Sequence, residues 1–492
     1  MSFMKKTNFI ILTVLLLFLL VWRFKVSTIR FFDVDEFSYL HWTAQIARGE
    51  RQYVDFYSYF TPGFFWLFTP IFWIYGVSAN VLVAGRMLAL GIFLGILGLL
   101  GVLWRKTRDL KWTLLPVVIL AFLPMPYDKF LEIRPDNLAT LLAVVGIIAE
   151  VQALQAKNKV WWFITGMVYS SALFVLVKVL PIVAVGSIIA LIALRKHIKE
   201  FLFFVTGLSG LWFVFFFVHA IIGDIQVVWY SLTKLVFEAA HGAPDYIIMV
   251  QNLFFNPNAA FYGGTGYTIT TALLVNNVLW IVAIIFGAYR LFTPFIKRQP
   301  FTEILVAGSF FISVIAYVKF FPLKHSQYLI PTTVFVAYYA ADGLSIFFDW
   351  IARIGGKASL VIILVGFVYL FVAVTQDVNK PKLANTNTAQ IAELIQLIQT
   401  IPRSARVVDL EGKMLFWQEG YPICCIPYDL GLPYWTEGPP PLAIYLESRP
   451  ADYVYDGDST RLALLSSSNQ AFIKKHFSPV PGWGERLWKR IP

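Results

Sequence analysis

Apolar residues run through this chain in long uninterrupted blocks, without the two-residue alternation of a half-buried strand. After Lys5-Lys6 the first block spans residues 9–22. Others fall near 79–103, 112–126, 136–153, 162–177, 181–194, 201–221, 270–291, 302–318, 326–345 and 358–376. A soluble core has no use for so many, whereas a bilayer needs ~17–25 residues per crossing, so the pattern predicts about eleven transmembrane helices. The block 162–194 is divided because basic residues flank both its ends, Lys157 and Lys159 before and Arg195 to Lys199 after. The chain must therefore go out and return, turning at Lys178-Val179-Leu180-Pro181. The aromatic run 64–75 is too short to cross and is expected in the interface, where aromatic rings are favoured. Beyond residue 376 the pattern changes. Residues 405–410 and 451–455 read as strands, 387–400 reads as a helix, and Gly438-Pro439-Pro440-Pro441 is a breaker.

The predicted fold is mainly α, a polytopic transmembrane helix bundle followed by a small extracytoplasmic α/β domain. Residues 1–376 form the transmembrane part, including a first external loop at 23–78, and 377–492 form the soluble domain. Arg105-Lys106-Thr107-Arg108, Lys297-Arg298 and the basic residues Arg353 and Lys357 fall on one side under the positive-inside rule. That puts the N-terminus in the cytoplasm and the tail outside, in a plasma (inner) membrane. The first block resembles a secretion-signal core, but Arg23-Phe24-Lys25 follows it instead of a small-residue cleavage site, so an uncleaved anchor is expected.

Composition agrees: 58% of residues are hydrophobic and 14% charged, far from the balance of soluble domains. The net charge of +11 does not imply nucleic acid, because the basic residues cluster in short loops where topology and anionic lipids account for them. The two cysteines, Cys424 and Cys425, are adjacent, which makes neither a disulfide framework nor a zinc spacing.

Few carboxylates remain, and many share the outer face. Asp33, Asp35, Glu36 and Asp55 lie in the first external loop; Glu132 and Asp136 lie in the second. Such a cluster can serve as general base, as cation ligand or as plain polar loop. Opposite them stand cations on the side where the topology rule expects few: Arg86, Arg134, Lys178, Lys319, Lys324 and His325. Together these can receive an anionic lipid headgroup, Arg gripping a phosphate bidentately and Lys acting as a point charge. Carboxylates beside a phosphate receptor suit one reaction. A lipid-phosphate-linked sugar leaves readily once its phosphate is stabilised, and a weak hydroxyl nucleophile needs one base.

Asp35-Glu36-Phe37-Ser38-Tyr39 after the first span, then Gly49, Tyr53-Val54-Asp55-Phe56-Tyr57 and Thr61-Pro62-Gly63-Phe64, resembles the first loop of the GT-C glycosyltransferases. The likeness is to the group around protein mannosyltransferases and the lipid A aminoarabinose transferase. Arg134-Pro135-Asp136-Asn137, Lys178 and His325-Ser326-Gln327-Tyr328-Leu329-Ile330-Pro331 are similar to later landmarks in the same order, over roughly residues 5–375. Where the family often carries Arg before a Tyr-Leu-Pro-like stretch, this chain has His325-Ser326-Gln327.

The resemblance implies a transferase that moves one sugar from a polyprenyl-phosphate donor to a glycan, lipid or protein acceptor on the outer face, with inversion. Asp35 matches the family's catalytic aspartate and Glu36 its acidic neighbour. Lys178, Arg134, Lys324, His325 and Arg86 are candidates for the donor phosphate, and Asp55, Glu132 and Asp136 for acceptor-side or supporting roles. No cofactor or metal is required, although the carboxylates can hold a hard divalent cation. The competing readings are a flippase or transporter of a lipid-linked saccharide, and a glycan ligase or polymerase. A transporter would bury charges along midplane helices and show repeats, whereas here the charges gather at one interface and no repeat is visible.

Overall fold

The computed structural model describes residues 3–58, 60–156, 158–238, 271–293, 300–321, 326–425, 435–457 and 460–492. In chain order the helices are α1 (Phe3–Ile29), α2 (Val34–Ala47), α3 (Gly63–Phe68), α4 (Pro70–Tyr75), α5 (Asn80–Thr107) and α6 (Leu114–Phe122). Then come α7 (Pro135–Ala156), α8 (Lys159–Val175), α9 (Leu180–Leu194), α10 (Ile198–Ile222) and α11 (Ile225–Leu232). After these follow α12 (Thr271–Phe292), α13 (Pro300–Lys319), α14 (Ile330–Ile354), α15 (Gly356–Ala384) and α16 (Thr388–Thr400). The remainder holds β1 (Arg406–Asp409), β2 (Gln418–Glu419), α17 (Leu442–Ser448), β3 (Tyr453–Tyr455), α18 (Ser467–His476), β4 (Phe477–Pro479) and β5 (Leu487–Arg490).

Among the described residues nine helices are long and apolar enough to cross a membrane. The shorter apolar helices at Leu110–Phe122 and Lys159–Val175 coincide with the other two predicted spans. The chain is a polytopic helical membrane protein with a small sheet near its C-terminus.

Chain contacts divide it into two units. One comprises residues 1–30, 86–213 and 250–386; the other comprises 31–85, 214–249 and 387–492. Residues 31–78 of the first loop thus fall in the same unit as residues 387–492.

In the helical unit, outward faces stay apolar (Ile362 and Tyr369 are exposed) while the interior is filled by Trp104, Trp280, Tyr338 and Phe371. Association between helices in lipid relies on close packing and polar contacts. A Cβ on Gly166 would fall 2.2 Å from Phe204 O, and one on Gly207 would fall 2.3 Å from Phe163 O, so only glycine lets α8 and α10 approach this closely. At the predicted cytoplasmic ends, Asp342 on α14 faces Arg108 Nε at 3.3 Å and Arg290 Nε at 2.6 Å, and Arg108 also pairs with Glu303. The predicted turn between α8 and α9 is present as a short 3-10 segment, Val177–Val179, with Pro181 in the first turn of α9.

In the second unit, the sheet has the order β2-β1-β3-β5-β4. β1 pairs in parallel with β2 and β3, and β5 pairs antiparallel with β3 and β4. Val408, Leu410, Leu446, Val454, Ile473 and Phe477 form its core. α3 and α4 bury Phe64, Phe65, Phe68, Ile71 and Phe72 and expose Trp66, Leu67, Trp73 and Ile74, a two-faced pattern that suits an interfacial segment.

Candidate functional site

In the helical unit a run of buried charge occupies the loop before α7 and the first turn of that helix. Asp128, Lys129, Glu132, Arg134 and Asp136 follow one another within a single short stretch, and all five are buried. Taking charges out of water costs several kcal/mol per ion unless each finds partners, and each does. Glu132 accepts hydrogen bonds from Arg30 at 2.9 Å and from Lys129 and Arg134 at 3.0 Å. Asp128 faces Arg30 at 3.2 Å and Lys382 at 3.4 Å. Asp136 faces Lys178 at 3.4 Å and Arg134 at 3.7 Å. The Asn137 amide donates to Phe130 O at 3.2 Å and Glu132 O at 3.1 Å, pinning the loop to the first turn of α7. Burial works against ionisation of Asp128, yet Lys382, Arg30 and Lys129 hold its carboxyl far below the ordinary carboxylate range.

Over these eight residues five cations face three carboxylates. An excess of two positive charges in a buried setting favours a phosphate, whose oxygens accept charge-assisted hydrogen bonds. Lys178 is the member that reaches the surface: its side chain is 22% exposed, against 1% for Arg134. Its Nζ sits 3.7 Å from the centroid of the Tyr328 ring, a cation–π contact.

Among the predicted site residues, the helical unit brings Lys178, Arg134, Glu132 and Asp136 into one network. Arg86 makes contacts at the end of α1. Its Nη1 donates to Ser27 O at 3.0 Å and Arg30 O at 2.6 Å, capping carbonyls at the end of α1 that the helix itself leaves unsatisfied. Lys324 and His325 lie outside the described residues, as do the loop positions from 239 to 270. Sequence reasoning missed Arg30, Asp128, Lys129 and Lys382. The available signal was Asp128-Lys129 beside Glu132 and Arg134 in one short loop.

Asp35 and Glu36 open α2 in the second unit. Asp33 caps the helix by accepting from Asp35 N at 3.0 Å, and Glu36 Oε1 accepts from Asp33 N at 3.0 Å, completing a capping box. Glu36 is therefore fully buried and committed to the helix start, whereas Asp35 is half-buried in the first turn. Asp55 is exposed and accepts from Arg51 N at 2.8 Å, which closes a local turn.

Further along α2 lies a cluster that sequence reasoning did not find. His41 Nε2 donates to Glu419 Oε2 at 2.6 Å, and its Nδ1 faces Asp409 Oδ2 at 3.3 Å. Burial alone would lower the imidazole, but Glu419 and Asp409 raise it to about 9. Burial likewise opposes ionisation of Asp409, but His41 and the N–H groups of Met414 and Glu411 hold it below its ordinary range. Burial pushes Glu419 up, with His41 pulling the other way. His41, Asp409 and Cys424 bring metal-ligating atoms within 4.8 Å of one another. They do not suit a metal, however. Cys424 is disulfide-bonded to Cys425, both imidazole nitrogens face carboxylates, and the Asp409 oxygens already take N–H bonds from Glu411, Gly412 and Met414.

No protein-family model and no curated protein matches the sequence. Solved structures do. The chain is similar to ArnT from Cupriavidus metallidurans bound to undecaprenyl phosphate, at 12% identity and TM-score 0.59, over 98% of this chain and 97% of that one. It is similar to the Archaeoglobus fulgidus oligosaccharyltransferase tethered with an acceptor peptide containing the NVT sequon, at 11% identity and TM-score 0.54, over 98% of this chain and 74% of the other. It is also similar to Archaeoglobus fulgidus AglB in complex with an inhibitory peptide and a dolichol-phosphate, at 13% identity and TM-score 0.52, over 100% and 75%. The chain shares the fold of these structures.

Proposed function

We propose that this protein is an integral-membrane glycosyltransferase that moves a single sugar from a polyprenyl-phosphate donor to an acceptor hydroxyl on the extracytoplasmic face, with inversion. The observation that carries the reading is the buried cluster around Glu132, in which five cations outnumber three carboxylates and Lys178 reaches the surface. The GT-C fold, shared with structures bound to undecaprenyl phosphate and dolichol-phosphate, supports it.

In the proposed reaction Lys178 and Arg134 receive the donor phosphate. The bond between the anomeric carbon and the phosphate oxygen breaks as the acceptor oxygen attacks from the opposite face. The phosphate leaves with the bonding electrons, and fixed cations stabilise its growing charge. Asp35 takes the acceptor's proton. Glu36 holds the start of α2 and thereby the place of Asp35. The basic loops define the cytoplasmic side, which sets the cluster and the C-terminal region outside.

The test uses purified protein with radiolabelled undecaprenyl-phosphate monosaccharides, comparing wild type with Asp35→Asn. Loss of labelled donor in the wild type, abolished in the variant while donor binding persists, supports the assignment. Equal binding without turnover in both would instead favour a lipid-saccharide transporter.

A further inference from the structure

The helix that carries Asp35 is gripped by the segment that follows β1. Gly412, at φ +98°, comes so close that a Cβ there would lie 3.1 Å from Ser38 Cα. Lys413 Nζ stands 5.6 Å from the Phe37 ring centroid and is fixed by Glu393 and Glu411, each at 3.1 Å. One turn further on, His41 bridges Asp409 and Glu419. Gln45 Nε2 donates to Glu419 Oε2 at 2.9 Å, and Arg48 Nη1 donates to Leu415 O at 2.8 Å. Positions 37, 38, 41, 45 and 48 recur at three- and four-residue spacing, so one face of α2 is held along its length.

The anchor itself is rigid. Asp409 Oδ1 accepts from Glu411 N at 2.9 Å and Gly412 N at 2.8 Å, and Oδ2 accepts from Met414 N at 2.6 Å. Without a positive charge between them, Asp409 and Glu419 would be left as two buried carboxylates side by side, which is strongly unfavourable. His41 is 1% exposed, and the groups that face it are Asp409, Glu419, Gln45 and the Cys424 sulfur.

We infer that His41 is a positioning residue: as an imidazolium held by Asp409 and Glu419, it locks α2 to the C-terminal sheet and so fixes the carboxylate of Asp35. The inference rests on Asp35 being the base proposed above. Because the folded-state value lies above the ordinary one, the lock is complete below about pH 6.5 and is lost as pH rises through about 9.

The experiment uses the full chain in lipid nanodiscs as wild type, His41→Gln and Glu419→Gln, the last keeping hydrogen bonding while removing one charge. Hydrogen exchange is followed over residues 34–47, and turnover is followed with radiolabelled undecaprenyl-phosphate hexoses and pentoses from about pH 6 to 10. In His41→Gln, exchange in the first turns of α2 should rise at least about tenfold. Its kcat should fall about 100-fold with the donor KM unchanged, the expected result of a base misplaced by about 1 Å. The alkaline fall of wild-type activity should vanish in this variant. Glu419→Gln should show the same changes in weaker form and carries the test if His41→Gln does not fold. Wild-type exchange in both variants overturns the inference, and so does faster exchange with unchanged kcat. A wild type that binds undecaprenyl phosphate but turns over no donor overturns the transferase reading alone, and the exchange data still decide whether His41 locks α2.

Discussion

Replacing Lys178 with Met tests the member of the charge cluster that reaches the surface. Met keeps an apolar stem against Tyr328 and removes the charge. Two unit charges at 4 Å interact by ~4 kcal/mol at an effective dielectric of ~20. Lys178 already faces Asp136 at 3.4 Å and its side chain is 22% exposed, so part of that attraction is spent or screened. About 2 kcal/mol then remains for a bound phosphate, in the range of a charged hydrogen bond. The Kd for undecaprenyl phosphate should therefore rise about 30-fold. The assay is equilibrium binding of labelled undecaprenyl phosphate to wild-type and variant protein in nanodiscs, with thermal unfolding recorded alongside. The difference should shrink as salt is added, because a partly exposed charge is screened. A variant that melts like the wild type and binds within about twofold of it would refute the reasoning. Lys178 would then be a cation reaching toward the headgroup layer, with no ligand to hold.

Two further substitutions separate stability from binding and test the pH behaviour of the second unit. Glu132→Gln leaves Arg30, Lys129 and Arg134 facing one another without their shared carboxylate, a loss of about 3–5 kcal/mol. Its melting temperature should fall by several degrees while the affinity of the folded fraction for undecaprenyl phosphate does not decrease; unchanged melting would deny the network its structural role. Burial raises the Glu411 carboxyl to about 7 despite Lys413 beside it, so the folded state binds its proton more tightly than the unfolded chain does. Stability should fall by up to about 3 kcal/mol as pH climbs from about 4.5 to 7. Glu411→Gln should flatten that dependence in melting curves, and a slope identical to the wild type would exclude Glu411 as its source.

How much of this was legible in the sequence depended on whether a residue's task is local. Apolar blocks announce their own spans, and the Lys178 turn followed from basic flanks on either side of a block too long for one crossing. Arg134, Asp136 and Lys178 stood out because charge is scarce at that membrane face. Arg30 and Lys382 escaped because a cation flanking a span reads as an ordinary interface anchor, and only the fold turns both toward Asp128. Arg86 stood out by its place in a span, but its contacts with carbonyls at the end of α1 have no signature in the sequence.

The His41 network was out of reach for a different reason. Its partner Glu419 lies 378 residues away, on a strand of two residues that gives no periodic signal. Yet α2 carries a trace of it. From Glu36 to Gln45 every residue is buried, including Ser38, His41, Thr43 and Gln45. A helix that buries polar positions alongside its apolar ones cannot be packed against hydrocarbon or a purely apolar core, because each buried polar atom left unpaired costs about 1–3 kcal/mol. Such a helix must dock onto a surface that supplies matching donors and acceptors. In this unit the end of β1 and the strand β2 supply them to His41 and Gln45, while Ser38 and Thr43 donate to carbonyls of their own helix. The C-terminal residues therefore complete the polar half of the helix that begins with Asp35.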